Sequence, residues 1–269
     1  MKSYIQLLRP KQYIKNLFIF APLLFSFSFN DPQKVIVTLY TFIIFSLTAS
    51  SIYIVNDILD LEEDRNHPKK KTRPIASGKI SVNTGLAVSG TLVVISLVAS
   101  YIINMGLLLV IGIYLVNNLL YSMRLKHVSV LDILMIALGF LLRVIAGGIV
   151  GGIYISMWII LMTFLLSVFL GFAKRRDDVL LSEKGLTTRK NIDGYNLEFI
   201  NAVMVLMAAV TIVAYISYTV SPEVIAKFGT HNLYLTSFFV IAGILRYMQI
   251  TFVNENSGNP TDLVFKDRF

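Results

Sequence analysis

The chain has 269 residues, of which 55% are hydrophobic and 15% charged, and its mean hydropathy is +0.70. Soluble domains carry charge at about a quarter of their positions, so this composition excludes a water-soluble globule and describes a polytopic membrane protein. The lack of cysteine excludes disulfide frameworks, thiolate metal sites and cysteine nucleophiles, and three scattered histidines (His67, His127, His231) argue against a histidine-ligated metal.

Eight apolar runs approach the length that crosses ~30 Å of hydrocarbon: 13–29, 35–55, 82–104, 105–123, 128–150, 153–172, 199–220 and 233–253. They predict an all-α bundle of eight transmembrane helices, with nine as the alternative count. The first run ends SFSFNDP without a small-x-small cleavage pattern, so it reads as retained. With eight crossings, both termini and the connections after runs 2, 4 and 6 share one side. Twenty of the 24 Lys and Arg residues fall there, only Lys34 and Lys227 fall opposite, and Arg143 and Arg246 lie within runs. That bias puts the amino terminus in the cytoplasm of a multi-pass protein of the cell inner or plasma membrane. The net charge of +8 is therefore topological and does not mark a nucleic-acid partner, because the cations form no stripe with interleaved aromatics.

The acids follow the cations into two connections, about 56–81 and 173–198. A transporter of anionic lipid or solute would need polar groups mid-membrane on several helices, and only Arg143 and Arg246 qualify. An enzyme with a cavity open to the cytoplasm is favoured.

Run 2 continues as Asn56-Asp57-Ile58-Leu59-Asp60-Leu61-Glu62-Glu63-Asp64. If the helix persists, Asp57, Asp60 and Asp64 share a face. Three neighbouring carboxylates repel one another unless a cation neutralises them, and hard oxygen ligands suit Mg2+, which bridges to phosphate oxygens. The competing reading is a solvated helix end. The chain then runs His67-Pro68-Lys69-Lys70-Lys71-Thr72-Arg73-Pro74-Ile75-Ala76-Ser77-Gly78, which sets phosphate-binding cations beside the acids. Lys70 and Lys71 taken singly read as lipid-headgroup anchors, whereas Arg73 reads as functional.

N-D-x-x-D-x-x-x-D followed by R-P-x-x-S-G resembles the first signature of the UbiA prenyltransferase superfamily. The longer H-P-x-K before R-P-I-A-S-G is similar to its decaprenyl-phosphate phosphoribosyltransferase branch. So are the opening Arg9-Pro10-Lys11-Gln12-Tyr13-Ile14-Lys15-Asn16, with Tyr13 at a Trp position, and the ending Gly258-Asn259-Pro260-Thr261-Asp262 through Lys266-Asp267-Arg268. The resemblance implies one integral-membrane transferase domain over 1–269. It also implies catalytic, metal-holding Asp57, Asp60 and Asp64, with Asn56, Lys15, Lys69 and Arg73 binding substrate.

Further along, Tyr121, Lys126 and Asp132 resemble the branch's second recognition element. Read without the family, Tyr121 is an interfacial-belt residue and Lys126 a topology charge. Asp132 and Arg143 lie three helical turns apart on one face of run 5, too far to touch. A lone Arg143 costs about 2.5–3.5 kcal/mol within an apolar run, so it faces either a phosphate or a structural partner. Lys174, Asp177 and Tyr195 are candidates in the second charged connection. General superfamily members carry a second D-x-x-x-D there, but Asp177 and Asp178 are adjacent, about 100° apart on a helix, with no acid four residues on.

The resemblance thus implies Mg2+-dependent transfer, with Mn2+ as a substitute, of 5-phosphoribosyl from phosphoribosyl pyrophosphate to a polyprenyl phosphate of the decaprenyl type, for cell-wall precursor synthesis. The alternative is a UbiA-type prenyltransferase that moves a prenyl group from a prenyl diphosphate to an aromatic or other acceptor. Membrane lipid is a partner in either case, and a homo-oligomer is compatible with both.

Overall fold

The structure is a computed structural model that describes residues 2–67, 70–183 and 194–253. Those residues hold no strand, and seven of their helices are long and apolar enough to cross a membrane: Pro32–Leu59, Val82–Ile103, Met105–Met123, Leu131–Gly151, Met157–Glu183, Leu197–Thr219 and Asn232–Phe252. They match seven of the eight apolar runs. The remaining run, 13–29, is not one helix but a 3-10 helix at Pro10–Phe20, a short α-helix at Ala21–Phe25 and a 3-10 turn at Ser28–Asn30. Left-handed backbone at Arg9 (φ 53°) and Phe27 (φ 55°) interrupts it, and Pro10 and Pro22 carry no N–H donor.

The chain clusters into two compact units. The first comprises Met1–Lys126 with Leu138–Ile155. It holds α1 (Lys2–Leu8), α2 (Ala21–Phe25), α3 (Pro32–Leu59), α4 (Leu61–Asn66), α5 (Val82–Ile103), α6 (Met105–Met123) and the later part of α7 (Leu131–Gly151). Asp31 starts α3 by accepting from the N–H groups of Gln33 (3.0 Å) and Lys34 (3.3 Å), with Pro32 at the position where a missing donor costs nothing. Asn104 ends α5 and caps α6 by accepting from Gly106 N–H at 2.7 Å, so two crossings join through one residue.

Lipid tails are as apolar as leucine, so helices in a bilayer adhere by close packing of small residues. On α3 Ser51 meets α5, which presents Gly85 and Ser89 one turn apart, and Ser89 Oγ donates to Ser51 O at 3.1 Å. A Cβ on Gly85 would stand 3.1 Å from Ile75. Large side chains on outer faces, such as Val94, Ile102 and Leu109, remain exposed, as a lipid-facing surface requires.

The second unit comprises His127–Ala137 with Ser156–Phe269, and its described part holds the start of α7, α8 (Met157–Glu183), α9 (Leu197–Thr219), α10 (Pro222–Phe228) and α11 (Ser237–Phe252). Its core packs Ile133, Phe169, Phe172, Tyr195, Ile200 and Met204. Helix α8 continues past the apolar run to Glu183, so Lys174–Asp178 are helical and do not begin a loop.

Candidate active site

Helix α3 stops at Leu59, Asp60 leaves helical geometry (φ −95°, ψ 13°), and α4 resumes at Leu61. The expected unbroken acidic stripe is thus bent at its middle member. Bonds from Asp60 N–H to Asn56 O (2.9 Å) and from Asp64 N–H to Asp60 O (2.8 Å) still carry the four-residue spacing across the bend. Asp57 and Asp64 are buried, at 1% and 0% exposure, while the Asp60 side chain keeps 28%.

Each carboxylate meets a cation of the first unit. Arg73 Nη1 donates to Asp57 Oδ1 at 3.1 Å and to Asp64 Oδ2 at 2.5 Å. Arg9 Nη2 donates to that same Asp57 oxygen, and Lys126 Nζ donates to Asp60 Oδ1. Lys70 Nζ lies 3.9 Å from Asp64 Oδ1. The Arg9 guanidinium also sits over the Tyr53 ring, 5.2 Å from its centroid. Burial lowers the pKa of Arg9 and the neighbouring Asp57 charge opposes that shift. Arg73 is positioned by the turn that follows it, in which Ser77 N–H bonds to Arg73 O (2.9 Å), Gly78 takes a left-handed φ of 73°, and Ile75 and Ile80 sink into an apolar cluster with Leu7 and Ile54.

Among the described residues, no three carboxylate or imidazole groups converge on one point, because the Arg73 guanidinium bridges Asp57 and Asp64. Two buried acceptors nevertheless lack a hydrogen-bond donor, Asn56 Oδ1 and Asp64 Oδ1. Leaving such an oxygen unsatisfied costs about 1–3 kcal/mol. Hard oxygens with unmet acceptor capacity beside three carboxylates fit a divalent cation of the Mg2+ kind.

The second unit carries a separate buried network. Asp132, at 0% exposure, accepts from Arg175 Nε (2.7 Å), from Tyr195 OH (2.6 Å) and from Ile133 N–H (2.9 Å). Arg175 Nη1 reaches Asp178 Oδ2 at 2.7 Å, and Tyr195 OH accepts from Val130 N–H at 2.6 Å. Val130 has φ 69°, an outlier for a β-branched residue. Burial and the bond to Asp132 raise the Tyr195 pKa above its ordinary value.

Of the expected site residues, Asn56, Asp57, Asp60, Asp64, Arg73 and Lys126 come together in the first unit, while Lys69 lies outside the described residues. Lys15 is half-buried on the 3-10 helix, and Tyr121 is half-buried on α6 one turn after buried Asn117. Asp132 and Tyr195 join each other, Asp177 is half-buried, and Lys174 is exposed. The donors of Arg143 go to Asn16 Oδ1 (2.7 Å), Gly139 O (2.7 Å) and Tyr114 OH (2.9 Å), all within the first unit.

Two paired arginines lie outside the expected residues, Arg9 beside the acids of the first unit and Arg175 in the network of the second. Arg9 lies 48 residues from its carboxylate, and only the opening motif hinted at it. Arg175 had a signal: the buried stripe of α8 at Leu165, Val168, Phe169, Phe172 and Ala173 extends at helical spacing to Arg175 and Arg176, and leaves Lys174 outside.

Helical crossings, with ionic chemistry gathered where α3 ends, define an all-α integral membrane protein. The chain belongs to the UbiA prenyltransferase family, whose model matches residues 17–265, and it is an enzyme, a transferase of that family. It is 34% identical to the decaprenyl-phosphate phosphoribosyltransferase of Mycolicibacterium smegmatis, over 100% of this chain and 87% of that one. It is 31% identical to the protein of the same name from Mycobacterium tuberculosis, over 98% and 88%. Its fold is similar to that of a UbiA homolog from Archaeoglobus fulgidus bound to DMAPP and Mg2+, with a TM-score of 0.72 at 22% identity over 92% of this chain and 86% of that one.

Proposed function

We propose that this protein transfers a 5-phosphoribosyl group from phosphoribosyl pyrophosphate to a polyprenyl phosphate, with all of 1–269 acting as one transferase domain whose charged connections face the cytoplasm. The observation that carries the reading is the acidic trio whose members are matched by Arg9, Arg73 and Lys126, a set whose two signs suit a metal and a diphosphate together. The relatives' names give the transferred group, phosphoribosyl, and the acceptor, decaprenyl phosphate.

Asp57, Asp60 and Asp64, with Asn56, would hold the Mg2+, for which Mn2+ would substitute. When bound, the ion supplies countercharge to a departing pyrophosphate. Arg73 and Lys126 supply fixed positive charge beside the same group, which lowers the barrier without reorganisation at the moment of reaction. In the reaction the bond from ribose C1 to the pyrophosphate oxygen breaks and its electron pair leaves with the pyrophosphate. An oxygen of the polyprenyl phosphate forms the new bond to C1. That oxygen is already anionic, so no strong general base is required. Asp132, Arg175 and Tyr195, bonded to one another, order the second unit.

The A. fulgidus neighbour bound to DMAPP and Mg2+ favours a second reading, prenyl transfer from a prenyl diphosphate. The chain departs from it where a second acidic pair is expected, since Asp177 and Asp178 are adjacent and no acid lies four residues on from either. Incubating membranes that contain the protein with ribosyl-labelled phosphoribosyl pyrophosphate and polyprenyl phosphate decides between them. Label should enter the lipid extract. No labelled lipid there, with product from a prenyl diphosphate, would establish the second reading instead.

A further inference from the structure

Two guanidinium groups converge on one oxygen in the first unit: Arg9 Nη2 and Arg73 Nη1 both donate to Asp57 Oδ1. The shared carboxylate offsets the repulsion between the two guanidinium charges. Arg73 has a second anchor in Asp64, whereas Asp57 is the only carboxylate paired with Arg9 among the described residues. Arg9 is also held there at a backbone cost. Its φ of 53° and ψ of 54° are left-handed, and the next residue is Pro10, which disfavours helical geometry in the residue before it. Such a conformation costs about 1–2 kcal/mol outside glycine, and it persists where surrounding structure over-determines it. The surroundings here are the end of α1 and the start of the 3-10 helix, where Arg9 N–H bonds to Gln6 O (3.3 Å) and Gln12 N–H to Arg9 O (2.9 Å), with Asp57 and the Tyr53 ring holding the guanidinium.

We infer that Arg9 is a further diphosphate-binding residue, held on Asp57 until a divalent cation takes that carboxylate and then available, beside Arg73, to a diphosphate. The inference rests on the reading of Asp57 as a metal-holding residue. Three carboxylates face Arg9, Arg73 and Lys126 and the more distant Lys70, a set within one charge of balance. A divalent cation alone adds uncompensated positive charge and must displace Arg9. A diphosphate alone finds one nitrogen of each guanidinium spent on Asp57 or Asp64 and meets the negative charge of those carboxylates. Both together restore balance, because the cation takes the carboxylates and the diphosphate takes two converging planar forks, the geometry that matches phosphate oxygens. Arg9 therefore competes with the cation and cooperates with the diphosphate. A residue that only braced the fold would do neither.

The test uses the purified full-length protein and two probes, Mn2+ alone, followed by its paramagnetic resonance signal, and labelled inorganic pyrophosphate retained at saturating Mn2+. Arg9→Gln should bind Mn2+ alone about fivefold more tightly than the wild type, as expected when a part-buried competing charge is removed. The same variant should retain pyrophosphate about tenfold more weakly, a coupling within the usual range between linked ligands. Arg9→Lys keeps the charge but not the fork, so it should leave Mn2+ affinity near wild type and still weaken pyrophosphate. The inference is overturned if Arg9→Gln moves the two affinities in the same direction or moves neither, and, should that variant not fold, if Arg9→Lys retains pyrophosphate as the wild type does. A different result would sink the metal-site reading itself: wild type and Asp57→Asn binding Mn2+ equally, with and without pyrophosphate.

Discussion

Arg73 joins two carboxylates that the chain separates by a helix end: its Nη1 lies 3.1 Å from Asp57 and 2.5 Å from Asp64, both of them buried. Removing that cation takes away the shared partner of two buried carboxylates and leaves Arg9 on Asp57 and Lys70, 3.9 Å away, beside Asp64. Arg73→Met should therefore lower unfolding stability by about 2–3 kcal/mol, below the usual figure for breaking a fully buried pair because Arg73 is partly exposed. Adding Asp64→Asn should recover part of the loss. Thermal unfolding of the two single variants and the double variant in detergent gives the coupling, and additive effects would mean that the bridge does not act as a unit.

The trio's proposed metal role makes a prediction about turnover. Asp57→Asn and Asp60→Asn keep side-chain size and remove the charge that a divalent cation needs. Each should cut turnover by at least about a hundredfold, since substitutions of mere supporting residues around metals already cost 10–100-fold. Excess chelator should stop the wild type and added Mg2+ or Mn2+ should restore it. Turnover that survives chelation would remove the metal from the mechanism.

Seven crossings were legible because a bilayer demands about 20 apolar residues per helix, and that demand is written into composition. The run 13–29 misled for the same reason. Hydropathy counts apolar side chains, but it does not report that Arg9 and Phe27 turn the backbone left-handed on either side of Pro10–Phe20. In the site, the spacing of Asp57, Asp60 and Asp64 and the charge of Arg73 and Lys126 were local facts, and the structure gathers those residues. What brings Arg9 to Asp57 is the path of a 3-10 segment fixed by Tyr13 on Ser50 (2.9 Å) and Asn16 on Ser46 (3.0 Å), pairings between distant stretches that no local pattern encodes. The second connection differs: its charges from Lys174 onward mark the end of an apolar run, and nothing in hydropathy reports that α8 runs on through them and buries Arg175.

Tyr195 gives a prediction with a sign in pH. Its hydroxyl both donates to Asp132 and accepts from Val130 N–H, and its folded-state pKa lies above the unfolded value. The folded protein therefore holds that proton more tightly. The stability this provides is fully present below the unfolded tyrosine pKa of about 10 and is lost as pH rises beyond it. Tyr195→Phe should cost about 1–2 kcal/mol near neutrality, because it strips a donor from Asp132 and an acceptor from Val130. Between about pH 9 and 11 the wild type should lose stability faster than the variant. Parallel pH profiles for the two unfolding midpoints would contradict that linkage.

Arg143 separates a structural charge from a ligand-binding one. It is buried, no carboxylate pairs with it among the described residues, and its donors meet Asn16, Gly139 and Tyr114. Its guanidinium carbon also lies 5.0–5.8 Å from the ring centroids of Tyr114, Phe140 and Phe45. A delocalised, weakly hydrated guanidinium tolerates such a cage, whereas an ammonium is a compact, strongly hydrated charge with no fork to reach three acceptors. Arg143→Lys should therefore destabilise at least as much as Arg143→Met, each by about 1–3 kcal/mol. A phosphate ligand would reverse the order, since lysine would keep the charge that methionine loses. The same latch holds the 3-10 segment, because Asn16 belongs to it and a Cβ on Gly147 would collide with the carbonyl of Ile19. Gly147→Ala should thus mimic loss of Arg143 by pushing that segment off α7, and wild-type stability in Gly147→Ala would show that the segment is not held there.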